Sequence, residues 1–183
     1  MSSSLCTGRE VTRDCLMSTA VLALGANLGD RATALQAAID LLGESVTVRA
    51  VSAIFETAPV GGPEQPDYYN AVLVVETTLP ASELLGLAHV AEAAADRVRT
   101  VRWGPRTLDV DVIAYDDVIS DDPVLTLPHP RAHERAFVLM PWLDADPHAA
   151  LPGRGPIADL LDTVGVAGVR RLDRPTLRMP KER

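Results

Sequence analysis

The chain has 183 residues, 47% hydrophobic and 23% charged, which fits one well-buried globular domain and excludes a disordered or fibrous chain. A formal net charge of −8 argues against a nucleic-acid partner, because phosphate-backbone binding needs a net basic face. No run approaches the ~18 apolar residues of a membrane span, and Cys6 and Cys15 both precede the first convincing element, so no disulfide framework is implied and a reducing cytoplasm is expected.

Residues 1–18 are expected to form a disordered N-terminal extension, with Met17 as an alternative start. Thr19–Leu24 (TAVLAL) is a nearly continuous apolar run closed by Gly25, and reads as a buried strand. The turn GANLGD follows, with Asp30 as N-cap of a helix in which Ala34, Leu35, Ala38, Ile39 and Leu42 recur at helical spacing. Gly43 closes that helix. Val46–Phe55 is β-branched and partly alternating, a second strand. Glu56–Asp67 (ETAPVGGPEQPD) is a long loop rich in Pro and Gly, and a loop of that length in a compact domain is usually functional or disordered.

Asn70–Thr77 (NAVLVVET) is the third strand. Pro80 suits the first turn of a second amphipathic helix carrying Leu84, Leu85, Leu87, Ala88, Ala91, Ala95 and Val98. Next come an arginine-rich loop and a strand from Thr107 to Tyr115, then the acidic turn DDVISDDP, the segment LPHPRAHERAFVLMPWL, and a short helix near Ile157–Val164. Residues 19–168 are expected to make a single catalytic domain, and 169–183 a polar, mobile tail. Second and third strands that neighbour each other break a strict βαβα rhythm. That pattern favours an α+β sandwich: a mainly antiparallel sheet with helices packed on its faces. GANLGD lacks the spaced glycines of a dinucleotide-binding turn.

The chemistry concentrates in RWGPRTLDVDV, residues 102–112. In a strand, residues i and i+2 share a face, so Leu108, Val110 and Val112 point one way and Asp109 and Asp111 the other. Two steps of ~3.3 Å place the two carboxylates roughly 6–7 Å apart at their Cβ atoms, close enough to share a cation or hold two adjacent ones. Such hard oxygen ligands suit Mg²⁺, which takes one or two carboxylates and completes its shell with water and phosphate. A solvated strand face would accept the same alternation. The neighbouring Arg97, Arg99, Arg102 and Arg106 favour a polyphosphate ligand, because metal and guanidinium groups around one polyphosphate are the recurring equipment of phosphoryl transfer.

Three blocks carry a resemblance: ETAPVGGPEQPDYYNAVLVVET, RVRTVRWGPRTLDVDVIAY and LPHPRAHERAFVLMP. Together, from about Ala20 to about Leu161, the chain resembles the 6-hydroxymethyl-7,8-dihydropterin pyrophosphokinases of folate biosynthesis. The resemblance implies a ferredoxin-like fold and Mg²⁺-dependent transfer of pyrophosphate from ATP to the pterin hydroxymethyl group, releasing AMP. It implies that Asp109 and Asp111 hold two Mg²⁺ ions and that Arg97 and Arg106 assist the transfer. Arg99, Trp103, His129 and Arg135 would meet ATP, as would His89, Glu92, Thr126 and the backbone around Val112.

For the pterin, the resemblance implies stacking between Tyr68 and Phe137, edge recognition by Asn70, and contacts from Thr57 and Val60. The loops 56–67 and 97–105 are expected to close over both substrates. Departures from the family pattern stand at Ala26, where serine is common, at His89, where glutamine is common, and at Pro130, and all three are expected to bear on the nucleotide pocket. A monomer is expected, with small-molecule substrates and neither nucleic acid nor membrane as partner. Two other readings fit parts of the sequence: a non-catalytic nucleotide-binding module of ferredoxin-like fold, and a metal-dependent phosphodiesterase or nuclease.

Overall fold

The computed structural model describes residues 17–59, 64–95 and 107–180. Val60, Arg97, Arg99, Trp103 and Arg106 of the expected site lie outside the described residues, as do the centres of both expected closing loops.

Strand β1 (Ser18–Ala26) runs through the middle of the sheet, which explains its lack of polar alternation: both of its faces are covered. Helix α1 (Arg31–Leu42) begins at Asp30, whose carboxylate accepts from the Thr33 amide at 3.1 Å, as the N-cap expectation requires. Leu35, Ala38, Ile39 and Leu42 are its buried stripe. Beyond it, β2 (Thr47–Val51) and β3 (Phe55–Thr57) replace the single strand expected over Val46–Phe55. The break lies at Ser52–Ile54. The buried Ser52 hydroxyl accepts from the Val72 amide at 2.9 Å and donates to the Ala53 carbonyl at 2.7 Å, while the Ala53 amide turns to the Asp144 carboxylate at 2.8 Å. Side chains take over ladder hydrogen bonds there, so the strand divides.

Strand β4 (Tyr68–Thr77), helix α2 (Ala81–Ala94, with Pro80 at its N-cap) and β5 (Asp109–Tyr115) complete a β-α-β-β-α-β unit. Every strand pair is antiparallel, and the sheet order is β5-β1-β4-β3, with β2 also paired to β4. This is the expected α+β sandwich. Helices α1 and α2 cover one face over a core that includes Leu22, Leu24, Leu35, Ile39, Leu73, Leu84, Val110 and Val112.

The opposite face is covered by α3 (Ala136–Ala145) and α4 (Ile157–Val164), over Val21, Val72, Ile113, Leu139 and Trp142. The prolines of LPHPRAHERAFVLMPWL conceal α3, which continues through Pro141 inside the helix. A β-bulge at Ile113 in β5 turns both Ile113 and Ala114 toward this second core.

The expected mobile tail needs correction. Val169–Arg171 forms a further strand, β8, antiparallel to β3, after a small hairpin of β6 (Ala150–Leu151) and β7 (Gly155–Pro156). Leu172 is buried, and Arg178 exchanges two hydrogen bonds with the Gln36 side chain on α1, at 2.9 and 3.1 Å. The tail is polar along its sequence because only one of its sides packs.

Candidate active site

The sheet face beneath α3 collects most of those expected site residues that lie among the described residues. Leu108, Val110 and Val112 are buried toward α1 and α2, so Asp109 and Asp111 stand on the other face, as the alternation requires. Asn70 and Val72 of β4 point the same way. The register then aligns three strands: Gly25 of β1 pairs with Asn70 on one side and with Asp109 on the other. One row deeper, Ala23 pairs with Val72 and with Asp111. With strands ~4.8 Å apart, Asn70 and Asp109 face each other across roughly 10 Å of floor formed by Gly25.

Gly25 is the residue that sequence reading missed. A Cβ placed there would lie 3.4 Å from the Asn70 Oδ1 and 3.9 Å from a Tyr68 ring carbon, in the slot between the two ends of the row. Side chains along β1 shrink toward the site, from Val21 through Ala23 to Gly25, and leave a flat shelf. The available signal was a glycine ending an apolar strand, which is indistinguishable from an ordinary strand stop.

Asn70 is 6% exposed, and its amide nitrogen donates to the Thr57 hydroxyl at 2.9 Å and to the Phe55 carbonyl at 3.4 Å. With its donors spent inside the protein, the Oδ1 faces the shelf as an acceptor. Tyr68 begins β4 and donates from its hydroxyl to the Gln65 side chain at 3.3 Å. Phe137 lies in the first turn of α3, half-buried, with the Arg135 guanidinium 5.6 Å from its ring centroid.

Arg135, the N-cap residue of α3, also reaches the other half of the site: its Nη1 is 3.7 Å from the Asp111 Oδ2. His129 is placed by its backbone amide, which donates to the Ile113 carbonyl at 2.8 Å. Its Nδ1 accepts from the Arg131 amide at 3.2 Å, and its Nε2 lies 4.0 Å from the same Asp111 oxygen. Burial pushes the His129 pKa below the ordinary imidazole value, with Arg135 adding to the shift and Asp111 opposing it. A neutral ring that accepts at Nδ1 carries its proton on Nε2, aimed at the carboxylate side.

The nucleotide-side residues are more scattered. Glu92 is 6% exposed, not the surface helix position its sequence context suggests, and its Oε1 accepts from the Val110 amide at 3.0 Å. That amide belongs to the peptide between the two aspartates' residues on the outer edge of the sheet. By the two-residue period, the backbone groups of Val112 face the same edge, while its side chain is core. His89 is exposed one helical turn before Glu92. Thr126 donates its hydroxyl to the Asp122 carbonyl at 3.0 Å within its own loop. Ala26, one of the family departures, is fully buried in the core beneath α1 and α2.

The donor set fits Mg²⁺. Two half-exposed carboxylates share a face, and no group of three His, Cys, Asp or Glu side chains is gathered among the described residues, as a zinc-type site would need. The remaining coordination would fall to water and phosphate.

A model of the family described as 7,8-dihydro-6-hydroxymethylpterin-pyrophosphokinase (HPPK) matches residues 21–147. The chain belongs to this family. It is 43% identical over 176 residues to the 2-amino-4-hydroxy-6-hydroxymethyldihydropteridine pyrophosphokinase of Mycobacterium tuberculosis (strain ATCC 25618 / H37Rv), covering 89% of this chain and 90% of that one. It is 44% identical over 124 residues to the enzyme of the same name in Bacillus subtilis (strain 168), covering 67% and 74%. The fold is similar to that of wild-type Plasmodium falciparum HPPK-DHPS in a crystal structure with SDX-DHP, with a TM-score of 0.65 and 14% identity over 85% of this chain and 48% of that one. Membership selects the enzyme among the three readings open to the sequence.

Proposed function

We propose that this chain, a pyrophosphokinase of folate biosynthesis, joins its two substrates across the Asn70–Gly25–Asp109 row. The pterin lies on the Gly25 shelf between Tyr68 and Phe137, and ATP lies along the outer edge of β5 with its phosphates toward Asp109 and Asp111. The register that sets a buried amide acceptor and a carboxylate on either side of one glycine carries this reading.

Asn70 reads the ring edge by accepting from its N–H groups, since its own donors are engaged by Thr57 and Phe55. Thr57 and Val60 add contacts at the rim. The pterin hydroxyl oxygen bonds to the β-phosphorus, and the bond from that phosphorus to the oxygen bridging toward the α-phosphorus breaks. AMP leaves with that oxygen's electron pair, and the hydroxyl proton passes to solvent. Mg²⁺, as two ions held by Asp109 and Asp111, would supply charge neutralisation on the phosphates and acidify the attacking hydroxyl.

Arg135 and the Nε2–H of His129 bind phosphate oxygens beside Asp111, where the structure already gathers them. Arg97, Arg99 and Arg106, with Trp103, are assigned the remaining phosphate and ring contacts on the family resemblance, since they lie outside the described residues. His89, Glu92, Thr126 and the Val112 backbone border the nucleotide. The enzyme works as a cytoplasmic monomer on small molecules, without nucleic acid or membrane. The net charge of −8 disfavours a nucleic-acid backbone as a partner.

Incubation with ATP, Mg²⁺ and the hydroxymethyl dihydropterin should release AMP in step with pterin consumption, and chelation of Mg²⁺ should stop it. ADP or inorganic phosphate as the main product would overturn the proposal.

A further inference from the structure

We propose that Arg31 is a positioning residue for the pterin pocket, gripping from behind the β3–β4 hairpin whose front face carries Thr57, Tyr68 and Asn70. This rests on the reading that the front face receives the pterin. In the hairpin, Thr57 pairs with Tyr68, Glu56 with Tyr69 and Phe55 with Asn70. The Thr57 hydroxyl meets the Asn70 side chain, so those groups share the front, while Glu56 and Tyr69 share the rear, toward α1.

Arg31 is the first residue of α1 and makes three contacts on that rear face. Its Nη1 donates to the Asp67 carbonyl at 2.7 Å and lies 3.5 Å from the Glu56 Oε1, and its guanidinium carbon sits 3.6 Å from the centroid of the Tyr69 ring. Each contact falls one residue from a front-face group. The Asp67 carbonyl belongs to the peptide entering Tyr68, Glu56 precedes Thr57, and Tyr69 separates Tyr68 from Asn70. One planar guanidinium therefore fixes the backbone on which three ring contacts are mounted.

Glu56 is held from the other side by the Arg170 guanidinium of β8, so the last strand joins the clamp. The side chains of Arg31 and Glu56 are only 24% and 17% exposed, and solvent and salt screen the pair less than an open surface bridge. Lysine could keep the charge but not stack and fork at once, so it replaces only part of the grip. The fold does not need Arg31 to start α1, which has its cap in Asp30 and its buried stripe beyond.

The test measures binding of 6-hydroxymethylpterin at saturating Mg²⁺ and nonhydrolysable ATP analogue, binding of the analogue alone, and steady-state KM for each substrate. Arg31→Ala should raise the pterin Kd and KM about tenfold, a scale set by loss of preorganised contacts, with analogue affinity changed less than about twofold. Arg31→Lys should fall between. Unchanged pterin affinity, or equal weakening of both ligands, would overturn the inference. Should Arg31→Ala not fold, Arg31→Lys and Glu56→Gln decide it, because selective loss of pterin affinity supports the clamp and its retention refutes it. A wild-type enzyme that releases no AMP would defeat the pyrophosphokinase reading itself. A working wild type beside an unimpaired Arg31→Ala defeats only the clamp.

Discussion

Gly25→Ala separates the site from the fold. The new Cβ would stand about 1.5 Å above the shelf, 3.4 Å from the Asn70 Oδ1 and 3.9 Å from Tyr68. Those are ordinary contacts, and Gly25 is not among the glycines with positive φ, so the strand accepts alanine without strain. Folding stability should hold or rise by about 0.4–1 kcal/mol, because alanine narrows the unfolded ensemble. A flat ring packed on the shelf meets the methyl directly. Overpacking of a tight contact costs about 1–3 kcal/mol, which at 1.4 kcal/mol per decade weakens pterin binding by about 5- to 150-fold. Calorimetric titration of the pterin beside thermal unfolding reads both quantities. A variant that binds pterin like the wild type would refute the shelf, and one that loses stability together with affinity would make Gly25 a structural glycine.

Other expectations follow from single contacts. Asp109→Asn and Asp111→Asn should fold normally yet lose at least about a hundredfold in AMP-forming turnover, and unfolding of either would mark the pair as structural. Glu92→Leu leaves the Val110 amide buried without its acceptor, at a cost of about 1–3 kcal/mol in denaturant unfolding, whereas Glu92→Gln can still accept and should be spared most of it; equal loss in both would refute that account. Asp30 has its pKa lowered chiefly by the Thr33 amide. Its stabilising contribution is therefore present above the ordinary aspartate value and lost as pH falls through the lowered one. The stability gap between wild type and Asp30→Ala should be full at pH 7 and close below about pH 4. A gap that persists in acid would show that the carboxylate charge is not what caps α1.

Some of this was written along the chain. Alternation in LDVDV fixed which way Asp109 and Asp111 point, because a strand's two faces are a local, two-residue property. Asp30 announced α1 through its own Thr33 amide, and the three blocks with family resemblance carried Tyr68, Asn70, His129, Arg135 and Phe137 onto one face. Where local signals conflicted, the reading failed. Prolines concealed α3, and a polar tail concealed β8, whose pairing partner lies more than a hundred residues earlier.

Only the tertiary structure set Gly25 between Asn70 and Asp109, turned Glu92 inward onto the Val110 amide, and placed Arg31 behind the hairpin. Each is a relation between segments far apart in sequence. Their registers are decided by how two cores pack on one sheet, and no short stretch of residues encodes them.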